Sequence, residues 1–94
     1  MRTLLTLSLV AMPALAAAAP QLKCEFDGNK SKVTIVNPDA KDQQCNYACH
    51  FVLEGGSSSL SGSTGVKAGE TKLVNEDTSR SKVLRVRESS LNCE

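Results

Sequence analysis

At 94 residues, with 11 basic against 10 acidic side chains, four cysteines, no tryptophan and 3% aromatics, the chain can hold one small domain at most. So short a chain cannot build a dinucleotide-binding unit, a (β/α)8 barrel or an α/β-hydrolase. Its balanced charge gives no general attraction to nucleic acid or to an anionic membrane, so neither is an expected partner.

Met1 and Arg2 open the chain, residues 4–15 are apolar apart from Thr6, Ser8 and Pro13, and Ala16 to Ala19 form a small-residue tail before Pro20. That order predicts a secretory leader over residues 1–18, with Ala16 and Ala18 supplying the A-x-A pattern at the cut. The mature domain would then be residues 19–94, secreted or periplasmic. No cysteine stands at the cut to accept lipid, and the apolar run of about 12 residues is too short to span a bilayer.

Residues 21–26 and 32–37 flank Asp27-Gly28-Asn29-Lys30, a turn-rich step that predicts a hairpin. Val33 and Ile35 alternate with Lys32 and Thr34 at the two-residue period of a half-buried strand, and Asn37-Pro38-Asp39 ends it. From 45 to 53 the odd positions Cys45, Tyr47, Cys49, Phe51 and Leu53 are apolar while Asn46 and His50 lie between them, which predicts a strand. A helix over 38–54 competes, with Asn37 as N-cap, Pro38 in the first turn and Gly55-Gly56 as the stop. In that reading Cys45-x-x-x-Cys49 resembles the helix of defensin-like cysteine-stabilised peptides, although those peptides pair it with a Cys-x-Cys strand and this chain has only Cys93. Residues 55–65, GGSSSLSGSTG, predict a mobile loop or a weak edge strand around the single apolar Leu60. Residues 71–75 and 83–88 are further strands, and Leu91-Asn92-Cys93 closes the chain.

Five or six short antiparallel strands with turn signals between them predict an all-β fold, a small single-domain sandwich or partly open barrel. In outline this is similar to immunoglobulin-like domains, without their tryptophan or their cysteine spacing.

Four cysteines in an exported chain this short predict two disulfides. The need is physical, because only 16 Leu, Ile, Val and Phe follow residue 19 and a small domain buries little of its unfolded surface. On one extended strand Cys45 and Cys49 leave the same face about 13 Å apart, beyond disulfide reach. Of the two pairings left, a meander of adjacent strands favours Cys24 with Cys49 and Cys45 with Cys93. The first hairpin sets Cys24 opposite Val33, the next strand brings Cys49 to that level, and Cys45 meets the end of the chain.

Chemistry-bearing patterns are sparse. Cys45-Asn-Tyr-Ala-Cys49-His50 resembles, with one residue too many, the Cys-x-x-Cys-His that attaches c-type haem, but the chain beyond the leader offers no methionine or second histidine as a sixth ligand. A zinc site on Cys49 and His50 would require reduced thiols in an oxidising compartment. Ser79-Arg80-Ser81-Lys82 fits the short Ser-x-x-Lys pattern without its companion motifs, and nothing sets Glu25 and Glu54 across a cleft. No cofactor, metal or catalytic set is expected.

Lys30, Lys32, Arg80, Lys82, Arg85 and Arg87 could gather into an anion-binding strip, with Arg85 and Arg87 on one face if 83–88 is extended. Charges on edge strands equally serve to prevent association. The expectation is therefore a monomeric, non-catalytic binding or structural protein whose partner is another protein or a surface polymer, with Leu60, Arg85 and Arg87 as contact candidates. The alternative is an inhibitor or effector that inserts residues 55–65 into a protein partner, and a remote one is a haem or redox carrier using Cys45, Cys49 and His50.

Overall fold

The structure, a computed structural model, describes residues 18–94, so the expected leader lies outside the described residues but for Ala18. Six strands follow one another: β1 (Gln21–Asp27), β2 (Lys30–Val36), β3 (Gln43–Leu53), β4 (Gly56–Val66), β5 (Thr71–Thr78) and β6 (Val83–Cys93). They form two antiparallel three-stranded sheets, with strand orders β1-β2-β5 and β4-β3-β6. We call these the first and second sheet.

Each sheet contains one tight hairpin. Asp27 pairs with Lys30 and Leu53 with Gly56, which leaves two-residue turns. Gly28 (φ 62°) and Gly55 (φ 81°) take the left-handed backbone that such turns demand. The chain then crosses between sheets at each of the connections β2 to β3, β4 to β5 and β5 to β6. Consequently β5 returns beside β2 and β6 beside β3, the Greek-key linkage of an immunoglobulin-like sandwich rather than a simple meander.

Alternation sets which side chains meet. Val33 and Ile35 of β2, Cys45, Tyr47, Cys49 and Phe51 of β3, Leu60 and Val66 of β4, and Val83 of β6 form the buried core. Four of these nine come from β3, the central strand of its sheet, and they are four of the five odd positions of the predicted apolar run; the fifth, Leu53, is half-buried against the core. The helix over 38–54 is not what forms: Phe51 is 1% exposed on the inner face of a strand, and β-branched and aromatic residues favour that environment.

Both disulfides have the expected partners, Cys24–Cys49 and Cys45–Cys93. Cys45 and Cys93 are directly opposite on β3 and β6. Cys24 is opposite Val33 as expected, but Cys49 reaches it by facing it from the other sheet, so this bond joins the two layers instead of two strands of one layer. Two disulfides suit an oxidising, extracytoplasmic setting.

Of the two readings open for residues 55–65, the edge strand forms and the mobile loop does not. Gly55 stays in the turn, and residues 56–65 with Val66 make an 11-residue strand paired with β3 along its whole length, with no irregularity. Glycine and serine are poor strand formers, and the pairing holds because β3 supplies the large side chains. Tyr47 lies opposite Gly62, and a Cβ on Gly62 would stand 3.0 Å from the Tyr47 hydroxyl and 3.3 Å from its ring. A cross-strand aromatic covering an edge glycine compensates for the missing side chain. The hydroxyl is itself held, accepting a hydrogen bond from Asn75 Nδ2 at 3.3 Å. Gly62→Ala is therefore expected to destabilise the domain by about 1 kcal/mol through overpacking, although Ala normally outperforms Gly in a strand. Urea denaturation measures the sign directly, and a gain in stability would show that Tyr47 can swing clear.

Asn37 is the pivot of the crossovers. It is fully buried, and its Nδ2 lies 3.1 Å from the carbonyls of Lys41, Val66 and Lys67. Its Oδ1 accepts from the Asp39 amide, and its own backbone amide donates to Glu70. One side chain thus ties the β2–β3 connection to the β4–β5 turn.

Candidate functional site

The second sheet presents an open outer face and an open edge. Gln44 and Glu94 exchange both backbone hydrogen bonds at 2.9 Å, so even-numbered residues of β3 bond toward β6 and odd-numbered ones toward β4. The register Cys45 to Thr64, Cys49 to Leu60 and Leu53 to Gly56 then turns the even-numbered backbone groups of β4 toward β3. The odd-numbered ones, at Ser57, Ser59, Ser61, Ser63 and Gly65, point away from the sheet. Gly65 confirms the parity, because its carbonyl accepts from Lys72 Nζ at 2.9 Å. From Ser57 to Ser63 no strand among the described residues lies beyond β4.

The same odd residues put their side chains on the outer face. Ser59 Oγ is 2.8 Å from His50 Nδ1 and the Ser63 hydroxyl donates to Asn46 Oδ1. Ser57 and Ser61 stand opposite Val52 and Ala48, which offer them no polar side chain. Hydroxyls bound to β3 thus alternate with hydroxyls that are not.

Each of the other three edges carries the features that discourage strand addition. β1 bears Lys23, Glu25 and Asp27. β5 bears Lys72, Glu76 and Asp77 and pairs with β2 through a register shift. β6 is bulged twice and carries Arg85, Arg87 and Glu88. β4 has no charge, no proline and no bulge over 11 residues.

Leu60 is not an exposed anchor. It is 8% exposed on the inner face, opposite Cys49, so the residue that makes β4 pack is the one expected to reach a partner. The basic residues do not form one strip either. Lys30 and Lys32 belong to β2 in the first sheet, where Lys32 sits between Glu25 and Glu76 on a concavity of about 830 Å³. Arg85 and Arg87 are on β6, separated by a register shift: Arg85 faces Val52, while Arg87 has no cross-strand partner and lies 3.6 Å from Glu88.

Ser59, His50 and Glu88 occupy one cross-strand row, a juxtaposition that sequence reasoning missed because it depends on the register of three strands. The carboxylate of Glu88 lies 3.6 Å from the Arg87 guanidinium, and both side chains are exposed. Cys45 and Cys49 are both in disulfides, which leaves neither sulfur for a haem thioether. Among the described residues no cluster of His, Cys, Asp or Glu is placed to hold a metal, and no helix is long and apolar enough to cross a membrane.

No family model, curated protein or solved structure matches the chain.

Proposed function

We propose that this chain is an exported, non-catalytic binding or structural domain, freed of residues 1–18 and active in the periplasm or medium, that takes up an extended strand at the edge of β4. The observation that carries the reading is the contrast among edges: three are charged or bulged, and the longest regular one is bare. Natural β proteins protect long flat edges unless they use them, and strand addition supplies main-chain hydrogen bonds without requiring a pocket. An inhibitory role through residues 55–65 would, on this reading, act by pairing along a strand instead of by insertion of a loop.

Ser61→Pro tests it. Because the Ser61 amide points outward, proline there leaves the ladder to β3 intact and obstructs only an incoming strand. Added to the exported fraction of its host, the wild-type protein is expected to gain amide-exchange protection at Ser57, Ser59, Ser61 and Ser63. Ser61→Pro is expected to gain none at the other three. Protection arising elsewhere, or equally in both proteins, would overturn the reading.

A further inference from the structure

Granting that β4 is a docking edge, we propose that the strand it accepts is β4 of a second copy, paired antiparallel about Leu60 into one six-stranded sheet. A two-fold interface must be self-complementary, and β4 meets that condition in this register. Ser57 then faces the partner's Ser63, Ser59 faces the partner's Ser61, and the two symmetric repeats complete the set. All four outward-pointing residues of each strand are used. Reciprocal bonding at four pairs gives about eight backbone hydrogen bonds.

The side chains agree with the backbone. On the outer face each pair joins a serine bound to β3, Ser59 or Ser63, with one that is not, Ser61 or Ser57. Cross-strand hydroxyl pairs of this kind are favourable. On the inner face Leu60 meets the partner's Leu60 at the two-fold axis, where opposed residues approach most closely. Gly62, opposite the partner's Ser58, adds no bulk.

Charge also selects self-pairing. β4 carries none, so it offers nothing to steer a charged peptide and sets no like charges face to face. β4 is bounded at its start by the Glu54-Gly55 turn and at its end by the region of Val66. There Lys72 is fixed by hydrogen bonds to Thr64 Oγ1 and the Gly65 carbonyl, both at 2.9 Å. The edge left free therefore runs from Ser57 to Ser63 and is centred on Leu60. A single strand pair belongs with interfaces below about 1,200 Å², the class of weak and transient complexes, so the dimer forms at high local concentration.

Sedimentation equilibrium of the oxidised protein from about 10 μM to about 1 mM tests this, over the range of a weak association. The wild type is expected to approach twice its monomer mass as concentration rises, and Ser61→Pro to associate at least about tenfold more weakly. In case proline disturbs the fold, two paired-charge variants keep the test open. Ser59→Lys with Ser61→Lys sets lysine against lysine across the interface and abolishes the dimer, whereas Ser59→Lys with Ser61→Glu sets lysine against glutamate and restores it. Loss in both paired-charge variants would overturn the Leu60-centred register. A wild type that stays monomeric to the highest concentration would overturn the second-copy inference alone, provided its β4 amides still gain protection from the exported fraction. Dimers that ignore all three variants would overturn the docking edge as well.

Discussion

Removing the Cys24–Cys49 bond is expected to cost the domain roughly 3.5 kcal/mol, and removing Cys45–Cys93 roughly 4 kcal/mol. These figures follow from the loop entropy that each bond denies the unfolded chain, with sequence separations of 25 and 48 residues. Stabilities of about 0.05–0.15 kcal/mol per residue are typical, which leaves a domain this small with little in reserve, so full reduction should unfold it. The core explains why nothing compensates: nine residues span two layers, and two of them are the half-cystines Cys45 and Cys49. Cys24→Ser, Cys49→Ser and the double variant should share one urea midpoint, because either change abolishes the same bond. Additive losses would mean that the two cysteines contribute separately. The bonds should also differ in character. Cys45–Cys93 reinforces strands already joined by a hydrogen-bond ladder, whereas Cys24–Cys49 connects layers that otherwise meet chiefly through side chains, with a backbone bond from the Val83 amide to the Gly28 carbonyl at one end. Loss of the inter-sheet bond should therefore accelerate amide exchange throughout β1, while loss of the other should do so chiefly at the end of β6.

The elements that sequence reasoning placed well are those whose signal is local. The Asp27-Gly28 turn, the alternation of Val33 and Ile35, and the odd-numbered apolar run of β3 each depend on a few neighbouring residues, and each forms where expected. β4 was ambiguous because its strand character lies elsewhere in the chain. Its glycines and serines have weak intrinsic preference, and Tyr47 and Cys49 on the adjacent strand decide the matter. Arg85 and Arg87 illustrate a second limit. A two-residue period puts them on one face, and the register shift between His50 and Phe51 interrupts that period, something no local pattern encodes. The expected cysteine pairing forms, but Cys49 reaches the level of Cys24 across the sandwich and not from a neighbouring strand of the same sheet. The candidate edge was legible only as composition. That it is long, regular and uncovered depends on the order of strands, which arises from the crossovers.

Those crossovers depend on Asn37, whose replacement should rank with disulfide loss. Read along the chain, Asn37-Pro38 marks only the end of a strand. In the fold the two hydrogens of its Nδ2 are shared among three carbonyls at 3.1 Å, one of them, Val66, fully buried, and its carbonyl oxygen accepts from Asp39. Asn37→Ala removes all of these bonds and leaves a buried acceptor without a donor. A cost of about 3 kcal/mol is expected, since a stranded buried polar group forfeits roughly 1–3 kcal/mol and water can reach the half-buried carbonyls of Lys41 and Lys67. Asn37→Asp is nearly isosteric and should be worse near neutral pH. A carboxylate buried against carbonyl oxygens has neither solvent nor cation to stabilise it. Its pKa in the folded protein is therefore raised above the ordinary value of about 3.9 that it keeps when unfolded. With that sign, the variant is most stable below about pH 4, where both states are protonated, and loses up to about 1.4 kcal/mol per pH unit above it until the folded group ionises. Even protonated it provides a single donor where asparagine provides two, so acid should restore part of the stability and not all of it. Thermal unfolding of the wild type, Asn37→Ala and Asn37→Asp at pH 3.5 and pH 7 separates the contributions. If Asn37→Asp matched the wild type at pH 7, the buried amide would not be holding the two crossovers together.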